Sequence, residues 1–298
     1  MHNLSQITNK GDNCLEITKK MQEQMVVLYE SGLSGQKVAD KLGISSSYTV
    51  YKYLKKQGVK TRSNRENSKK HHVKNRDFFE NIDTEEKAYL LGFIYADGYV
   101  STRKPAKYSD YAEKKLGVSV GERDVEVLEL LKKCLDTTYP IATYEVKSGY
   151  KVGIKYSRII VNDHKIVDDL VKQGVKYHKS NTLEPPKNIP YHLIRHFIRG
   201  YIDGDGSIII NNTKYGLSFN VSMIGTDSVL NYITDYFMEN NLIRTRVKHE
   251  KRHDYDIVSS CRWGGNIQAK KILDHLYNNS HCYLTRKHDR YLKLCEIM

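Results

Sequence analysis

One pattern occurs twice in the 298-residue sequence and constrains the fold more than any other: an apolar helical stretch that ends in Asp-Gly and continues as a strand. The copies are EEKAYLLGFIYADGYV, which starts at Glu85, and HLIRHFIRGYIDGDGSI, which starts at His192. Asp97 and Asp205 hold the same place in them, 108 residues apart. Because repetition at a fixed period indicates a duplicated unit, we predict two related subdomains.

The two halves also share the order of their other segments. Alternating apolar and polar residues predict two strands after each motif, then a helix, two further strands and a closing helix. This repeated α-β-β-α-β-β-α order predicts an α+β fold of two pseudo-symmetric subdomains with antiparallel sheets. We assign residues 77–186 to the first repeat and 187–298 to the second.

Residues 1–66 predict a separate, small, all-α domain. VADKLGISSSYTVYKYL resembles the helix-turn-helix of bacterial recombinases and transposases, with Gly43 in the turn and Ser45 or Ser46 as the next helix cap. In that motif the N-terminal part of the second helix reads the major groove. The residues expected to face DNA are Ser47, Tyr48, Thr49 and Lys52. The alternative is a three-helix bundle that does not contact DNA.

The charge of the chain is uneven. The formal net charge is +13, and residues 1–76 carry 15 basic and 6 acidic side chains. Residues 67–76 are predicted to form a basic linker that can lie along phosphates. A basic surface attracts nucleic acid or an anionic membrane, although a basic bias also occurs without either partner.

Other features limit the cellular setting. No apolar run is long enough to span a bilayer, and MHNLSQITNKGD lacks the apolar core of a signal peptide. The five cysteines are odd in number and form no C-x-x-C pair, so neither disulfides nor a zinc cluster is expected. We therefore expect an intracellular protein of the cytoplasm, associated with the nucleoid and not with a membrane.

Small residues suggest how the two motif helices meet. Gly92 and Ala96 are four residues apart on the first helix, and Gly200 and Gly204 are four apart on the second. Residues at this spacing share a helix face, and small side chains let two backbones approach closely. The helix ends would then meet and place two carboxylates side by side. Such a pair suits Mg²⁺, which prefers oxygen ligands and takes phosphate oxygens at its open positions.

The paired motifs resemble those of the LAGLIDADG homing endonucleases, and FIRGYIDGDGSI matches especially well. The resemblance covers about residues 77–298. It implies a single-chain enzyme, a monomer, whose motif helices form the interface between two saddle-shaped sheets that lie in the major groove. It further implies that Asp97 and Asp205 are catalytic and bind Mg²⁺, for which Mn²⁺ can substitute, and that the carbonyls of Ala96 and Gly204 add ligands.

The sequence departs from the family pattern in two ways. Tyr95 stands where the second motif has Asp203, a position that the family does not use for metal. The family also often uses a lysine or glutamine near the site, and Lys155, Arg158 and Arg262 are candidates without a clear match.

Outward-facing positions on the predicted strands supply the expected DNA contacts. Arg and Asn can read base edges with two hydrogen bonds, and Lys suits phosphates. Three basic residues alternate in IRTRVKHE, which is predicted to be a strand. The complete set is Ser101, Arg103, Lys151, Lys155, Ser207, Asn211, Thr213, Ser218, Asn220, Arg244, Arg246 and Lys248.

Two motif matches are rejected. A calcium loop starting at Asp203 would need Gly at 208 and Glu at 214, where the chain has Ile208 and Lys214. HEKRH, which begins at His249, has the zincin letters but strand-like flanks, and we predict a hairpin turn there.

The sequence thus predicts a site-specific, divalent-metal-dependent endonuclease that cuts both strands of a long asymmetric target. Two alternatives on the same scaffold stay open. One is a DNA-binding regulator that does not cut, and the other is a maturase that binds intron RNA.

Overall fold

The structure, a computed structural model, describes residues 17–62, 71–103, 112–147, 152–177, 182–251 and 258–298. The chain divides into two compact units, Met1–Lys70 and His71–Met298. No helix in the described ranges combines the length and the apolar character that a bilayer crossing needs.

The smaller unit contains α1 (Lys19–Glu30), α2 (Gly35–Leu42) and α3 (Ser47–Lys56). Gly43, with φ of 69°, ends α2 in the left-handed region, and the Ser46 side chain caps α3 by accepting from the backbone N–H of Tyr48. The three helices enclose one small core: Met25, Tyr29, Val38, Ala39, Ile44, Val50 and Leu54.

The prediction of a linker over residues 67–76 is wrong for residues 71–76. Val73 pairs with Thr137 in an isolated β-bridge, and Arg76 donates to Asp163 at 2.7 Å, so residues 71–76 pack on the larger unit. An exposed polar composition predicted a free linker, but these backbone and ion-pair partners lie 60 to 90 residues further along the chain. Residues 67–70 lie outside the described ranges.

The larger unit follows the predicted order through its first repeat. That repeat contains α4 (Glu85–Asp97), β1 (Gly98–Arg103), β2 (Glu113–Gly121), α5 (Val125–Cys134), β3 (Ile141–Glu145), β4 (Lys155–Val161) and α6 (His164–Lys172). The second contains α7 (Ile194–Asp205), β5 (Gly206–Thr213), β6 (Gly216–Gly225), α8 (Asp227–Glu239), β7 (Ser259–Gly264), α9 (Asn266–Tyr277) and α10 (Thr285–Ile297).

Both sheets are antiparallel. The first has the strand order β1-β2-β4-β3, and the second, over its described residues, has the order β5-β6-β7. The α+β class predicted from the sequence is confirmed. Each sheet has one face on the helices and one open face, because alternate strand residues point to opposite sides.

The strand predicted for IRTRVKHE is absent from the described residues, where only Glu250 makes a bridge, to Ser260. The alternating positive charges, Arg244, Arg246 and Lys248, are exposed loop residues and do not line a strand face. Arg246 instead forms an ion pair with Asp235 of α8. One of the alternating basic residues that predicted a strand therefore contacts a helix.

The two motif helices, α4 and α7, pack directly on each other. A Cβ atom added to Gly92 would lie 2.0 Å from the carbonyl oxygen of Phe197, and one added to Gly200 would lie 2.0 Å from that of Tyr89. Tyr89 and Phe197 are 108 residues apart, so the two contacts are equivalent under the repeat. Every residue of α4 from Ala88 to Tyr95 is buried, because the helix is covered on all sides.

Each motif helix passes into its strand without a loop. Gly98 and Gly206 have φ of −84° and −99°, which any residue can adopt. A Cβ at these positions would lie 2.8 Å from the Cα of Ile94 and 2.7 Å from the Cα of Ile202. Close approach of the preceding helical turn, and not a left-handed cap, therefore requires glycine here.

We expect Gly92→Ala to lower the free energy of unfolding by at least about 1–3 kcal/mol, because the added methyl overlaps backbone that cannot move independently. Gly121→Ala is the matched control, since Gly121 has φ of −58° and nothing within 4 Å of the added Cβ. Urea denaturation followed by circular dichroism measures both. Equal stabilities of the two variants would contradict the close helix packing.

Candidate metal centre and nucleic-acid interface

The C-terminal residues of α4 and α7 are Asp97 and Asp205. A Cβ built on Gly204 would lie 2.2 Å from the Cβ of Ala96 and 3.3 Å from Oδ2 of Asp97. The carboxylate of the first motif therefore stands beside the small residue of the second. The ends of the two motif helices thus meet.

Asp205 is the last residue of the second motif helix. It lines a cavity of about 250 Å³ together with Tyr95 and Ala96 of the first motif and Tyr201 of its own helix. Burial, followed by the charge of Asp205, raises the pKa of Tyr201. All four residues predicted to hold metal thus lie where the two helices end.

This place concentrates negative charge. Each helix carries about half a negative charge at its C-terminus, and each adds one carboxylate there. Two such ends held together favour a cation between them. Within the described ranges no three His, Cys, Asp or Glu side chains cluster as metal ligands. A donor set of two carboxylates with backbone carbonyls fits Mg²⁺, which keeps waters or phosphate oxygens at its other positions.

A buried lysine lies beneath the second motif. Lys287 of α10 is 2% exposed, and its Nζ donates to the carbonyl oxygens of Ile202, of Asp203 at 2.7 Å and of Gly206 at 2.8 Å. Burial lowers its pKa to about 8; Arg286 acts in the same direction, whereas Asp203 and Asp97 oppose the shift.

Sequence reasoning missed Lys287, although one signal was present. Lys179 precedes it by 108 residues, the interval that separates the two motif acids. Lys179 lies outside the described residues.

Asp203, the earlier acid of the second motif, is committed to packing. It is fully buried and accepts from the hydroxyls of Tyr277 at 2.6 Å and Tyr89 at 2.8 Å, and from the N–H of Leu284 at 2.8 Å. Its counterpart Tyr95 donates to the carbonyl of Gln173 at 3.0 Å. The departure at Tyr95 therefore exchanges one buried anchor for another.

The other end of the helix pair carries a second buried network. Arg199 is fully buried and donates to Glu85 at 2.7 Å and to the carbonyl of Cys282 at 2.6 Å. Its Nη1 also lies 2.8 Å from Nδ1 of His196. Burial, with the charge of Arg199 as the next cause, lowers the pKa of His196 to about 4, so this imidazole is neutral near pH 7.

Most of the strand residues predicted to contact DNA lie on the open faces of the two sheets. In the first sheet Ser101 pairs with Lys115 and Arg103 with Glu113. In the second the open face is rich in hydroxyl and amide groups. The predicted residues found on open faces are Ser101, Arg103, Ser207, Asn211, Thr213, Ser218 and Asn220. The hydroxyl oxygen of Ser101 is itself buried.

Two of the predicted strand contacts are not found on an open face: Lys155 lies on the opposite face of its strand, and Lys151 lies outside the described residues. Lys155 is exposed at the start of β4. It lies three residues before Arg158, so the two side chains point to opposite faces of the strand, and Lys155 shares its face with the buried Ser157 and Ile159. The prediction that Lys155 faces outward from a strand fails because β4 begins only at Lys155 and alternates from there.

Two arginines that sequence reasoning could not place do lie on the open faces. Arg158 pairs with Ser119, whose neighbour Val118 pairs with Gly98, the residue after Asp97. Arg262 pairs with Ser222, and Ser222 pairs on its other side with Ser207, which is the second residue after Asp205. The register thus brings one arginine of each sheet close to its own motif.

In the smaller unit, two of the four residues predicted to face DNA are exposed to solvent. Tyr48 is 74% exposed and Lys52 is exposed, whereas Ser47 and Thr49 are half-buried at the start of α3.

The described part of HEKRH is not helical, as predicted, and His249 bonds to Asp227 at 3.0 Å. His253 lies outside the described residues.

Solved structures similar to this chain include the I-LtrWI LAGLIDADG homing endonuclease bound to target DNA, at 12% identity and a TM-score of 0.50, over 75% of this chain and 91% of that one. Another is meganuclease I-SmaMI bound to uncleaveable DNA, at 15% identity and a TM-score of 0.49, over 72% of this chain and 90% of that one. A third is the LAGLIDADG homing endonuclease I-GzeII in complex with its DNA target, at 10% identity and a TM-score of 0.46, over 70% of this chain and 88% of that one.

No protein-family model and no curated protein matches the chain. The likeness to I-LtrWI shows the fold, so the chain has the fold of LAGLIDADG homing endonucleases, and the predicted resemblance is confirmed at that level.

The His196 network predicts a pH-dependent stability. The folded pKa of about 4 lies below the ordinary 6.5, so the unfolded chain binds more protons between these values. This stability is fully present above pH 6.5 and is lost as pH falls towards 4. We expect a loss of about 1–3 kcal/mol. His196→Gln should remove this dependence, whereas His164→Gln, at an exposed site on α6, should retain it; urea denaturation from pH 4 to 7 measures both. Parallel curves for wild type and His196→Gln would contradict the assignment.

Proposed function

We propose that this chain is a LAGLIDADG homing endonuclease, which hydrolyses phosphodiester bonds in both strands of a long, asymmetric DNA target and depends on Mg²⁺. One observation carries the proposal: the acids of two repeated motifs end two helices in close contact, with Asp97 beside Gly204 and Asp205 lining a cavity together with Ala96. A protein that only bound DNA would have no need to hold two carboxylates where two helix dipoles already concentrate negative charge.

The chain's residues divide the work. Asp97 and Asp205 would hold Mg²⁺, with the carbonyls of Ala96 and Gly204 as further ligands, and Mn²⁺ would substitute. When bound, such an ion polarises the scissile phosphate and stabilises the charge that develops on it. Arg158 and Arg262, near the two motifs, would contact the phosphates on either side and orient the backbone.

The open faces of the sheets would read the target. The second sheet offers Asn211 and Asn220, whose amides can pair with adenine in the major groove. The first instead exposes tyrosines, and its Arg158 guanidinium lies 5.2 Å from the ring centroid of Tyr144. Two faces of different chemistry suit an asymmetric target. Both repeats lie in one chain, which suits a monomer. We place its action on DNA in the cytoplasm.

The first test is cleavage of the DNA that reads across the insertion site, as it stands in the uninterrupted host locus. Wild type should make a double-strand break with Mg²⁺ or Mn²⁺ and none with chelator. Asp205→Asn and Asp97→Asn should each lose at least about 100-fold in rate while still binding, because each removes charge only from the reacting centre. Asp235→Asn, a half-exposed acid on α8, is the matched control.

The other outcomes separate the alternatives. Tight binding without a cut in either metal would favour a DNA-binding regulator. Binding to the intron RNA, with none to the DNA, would favour a maturase.

The smaller unit is proposed to add affinity through α3. Lys52→Ala should weaken DNA binding about equally for target and unrelated duplex, and reduce the slope of log K against log salt by about one. Cleavage at saturating protein should not change. Lys19→Ala, at an exposed position on α1, is the control, and fluorescence anisotropy at several salt concentrations measures both. An unchanged slope for Lys52→Ala would remove α3 from the interface.

A further inference from the structure

The first strand of each sheet begins directly after the motif acid, and its second residue is the first one on the open face. In the first sheet this residue is Tyr99, which pairs with Gly117, and Gly117 pairs on its other side with Ile160. The same positions of the second sheet hold Ser207, Ser222 and Arg262. We call these two sets the inner rows, because each lies nearest to its motif acid on the open face.

The two inner rows differ in chemistry. The second offers two hydroxyls and a guanidinium, and all of these groups can donate hydrogen bonds. The first offers a phenol ring, a glycine and an aliphatic side chain, with no amide and no charged group. The two repeats thus present different surfaces at equivalent positions beside the proposed cut.

Gly117 lets the ring of Tyr99 lie low on the first sheet. A Cβ added to Gly117 would lie 2.3 Å from Cζ and 2.5 Å from Oη of Tyr99, so the tip of the ring covers this glycine. The ring therefore extends from β1 across β2, towards the strand that carries Ile160. Tyr99 is 38% exposed and Ile160 is half-buried. Together they give the first inner row an apolar surface that projects little from the sheet.

The rest of this face suits DNA. On the four strands as described, its open-face positions carry one acidic side chain, Glu113, and three basic ones: Arg103, Lys115 and Arg158. Glu113 pairs with Arg103 at the end of β1 that is farther from the motif. Positive charge around an apolar surface suits an anionic partner with apolar groups inside its groove. In the major groove of DNA, the apolar group on a base edge is the C5-methyl of thymine.

We propose that Tyr99 and Ile160 recognise thymine through apolar contact with its methyl group, in the base pairs that the first sheet covers next to the cut. This inference rests on the proposed nuclease function and names a feature of its substrate. The hydrogen-bonding inner row of the second sheet has no comparable apolar surface. The preference for thymine therefore belongs to one half of the target.

The test is binding of the full-length protein to the DNA that reads across the insertion site, with deoxyuridine in place of the thymidines nearest to the cut, on one side at a time. Deoxyuridine lacks the methyl group and keeps every hydrogen-bonding group of thymidine. We expect substitution on one side to weaken binding about 3–5-fold for each contacted methyl that is lost, and substitution on the other side to leave it unchanged. Fluorescence anisotropy in chelator measures both affinities.

Variants assign the effect to the first inner row. Tyr99→Ser, which introduces the side chain found at the equivalent position of the second sheet, should lose most of the difference between thymidine and deoxyuridine. Tyr99→Phe should keep the difference, because the ring and not the hydroxyl makes the contact. Ser207→Ala is the matched control on the second sheet and should also keep it.

Equal affinity of wild type for the normal target and for both substituted targets would overturn the inference, as would a target without thymine next to the cut on either side. Loss of the difference in Tyr99→Phe would also overturn it, because a hydrogen bond of the hydroxyl would then be responsible. Since binding is measured in chelator, this result is separate from the cleavage that tests the nuclease function. Absence of wild-type binding to the normal target would reject both.

Discussion

The close contact of α4 with α7 is the constraint on which the rest of the larger unit depends. Gly92 and Gly200 let each helix approach the backbone of the other, so that added methyl groups would overlap carbonyl oxygens at 2.0 Å. Two helices packed this closely bring both C-termini, and both terminal carboxylates, to one place. The packing that joins the repeats therefore also creates the negative site, and a change that separates the helices would remove both together.

The two repeats share this helix packing, but different hydrogen bonds hold their motif helices in place. The second motif is held by Lys287 on its last carbonyls and by Asp203, which takes hydrogen bonds from Tyr89 and Tyr277. At the corresponding position the first motif uses Tyr95, which donates to the backbone carbonyl of Gln173. The sheets differ as well: each open face carries one arginine near its motif, but the first also exposes tyrosines and the second also carries Asn211 and Asn220. A duplicated frame with unequal details is suited to a target whose two halves are unequal.

The central features could be predicted because they repeat. The motif acids, the small residues of the helix interface and the α+β class follow from a 108-residue period and from alternation within strands. The errors arose where contacts with other elements, and not the local pattern, decide the structure. Arg246 bonds back to α8, residues 71–76 dock on the far end of α5, and the phase of β4 depends on its pairing with β2. Lys287 and Arg199 have no local signature either, since their main acceptors lie about 80 or more residues away.

The most direct test of the account is the position of a bound divalent ion. A crystal of the full chain soaked in Mn²⁺ would be measured by anomalous diffraction at the manganese edge. The account predicts a peak at the joined ends of α4 and α7, within about 2–2.5 Å of carboxylate oxygens of Asp97 and Asp205. Anomalous peaks found only elsewhere, or a bound ion that touches neither carboxylate, would contradict it.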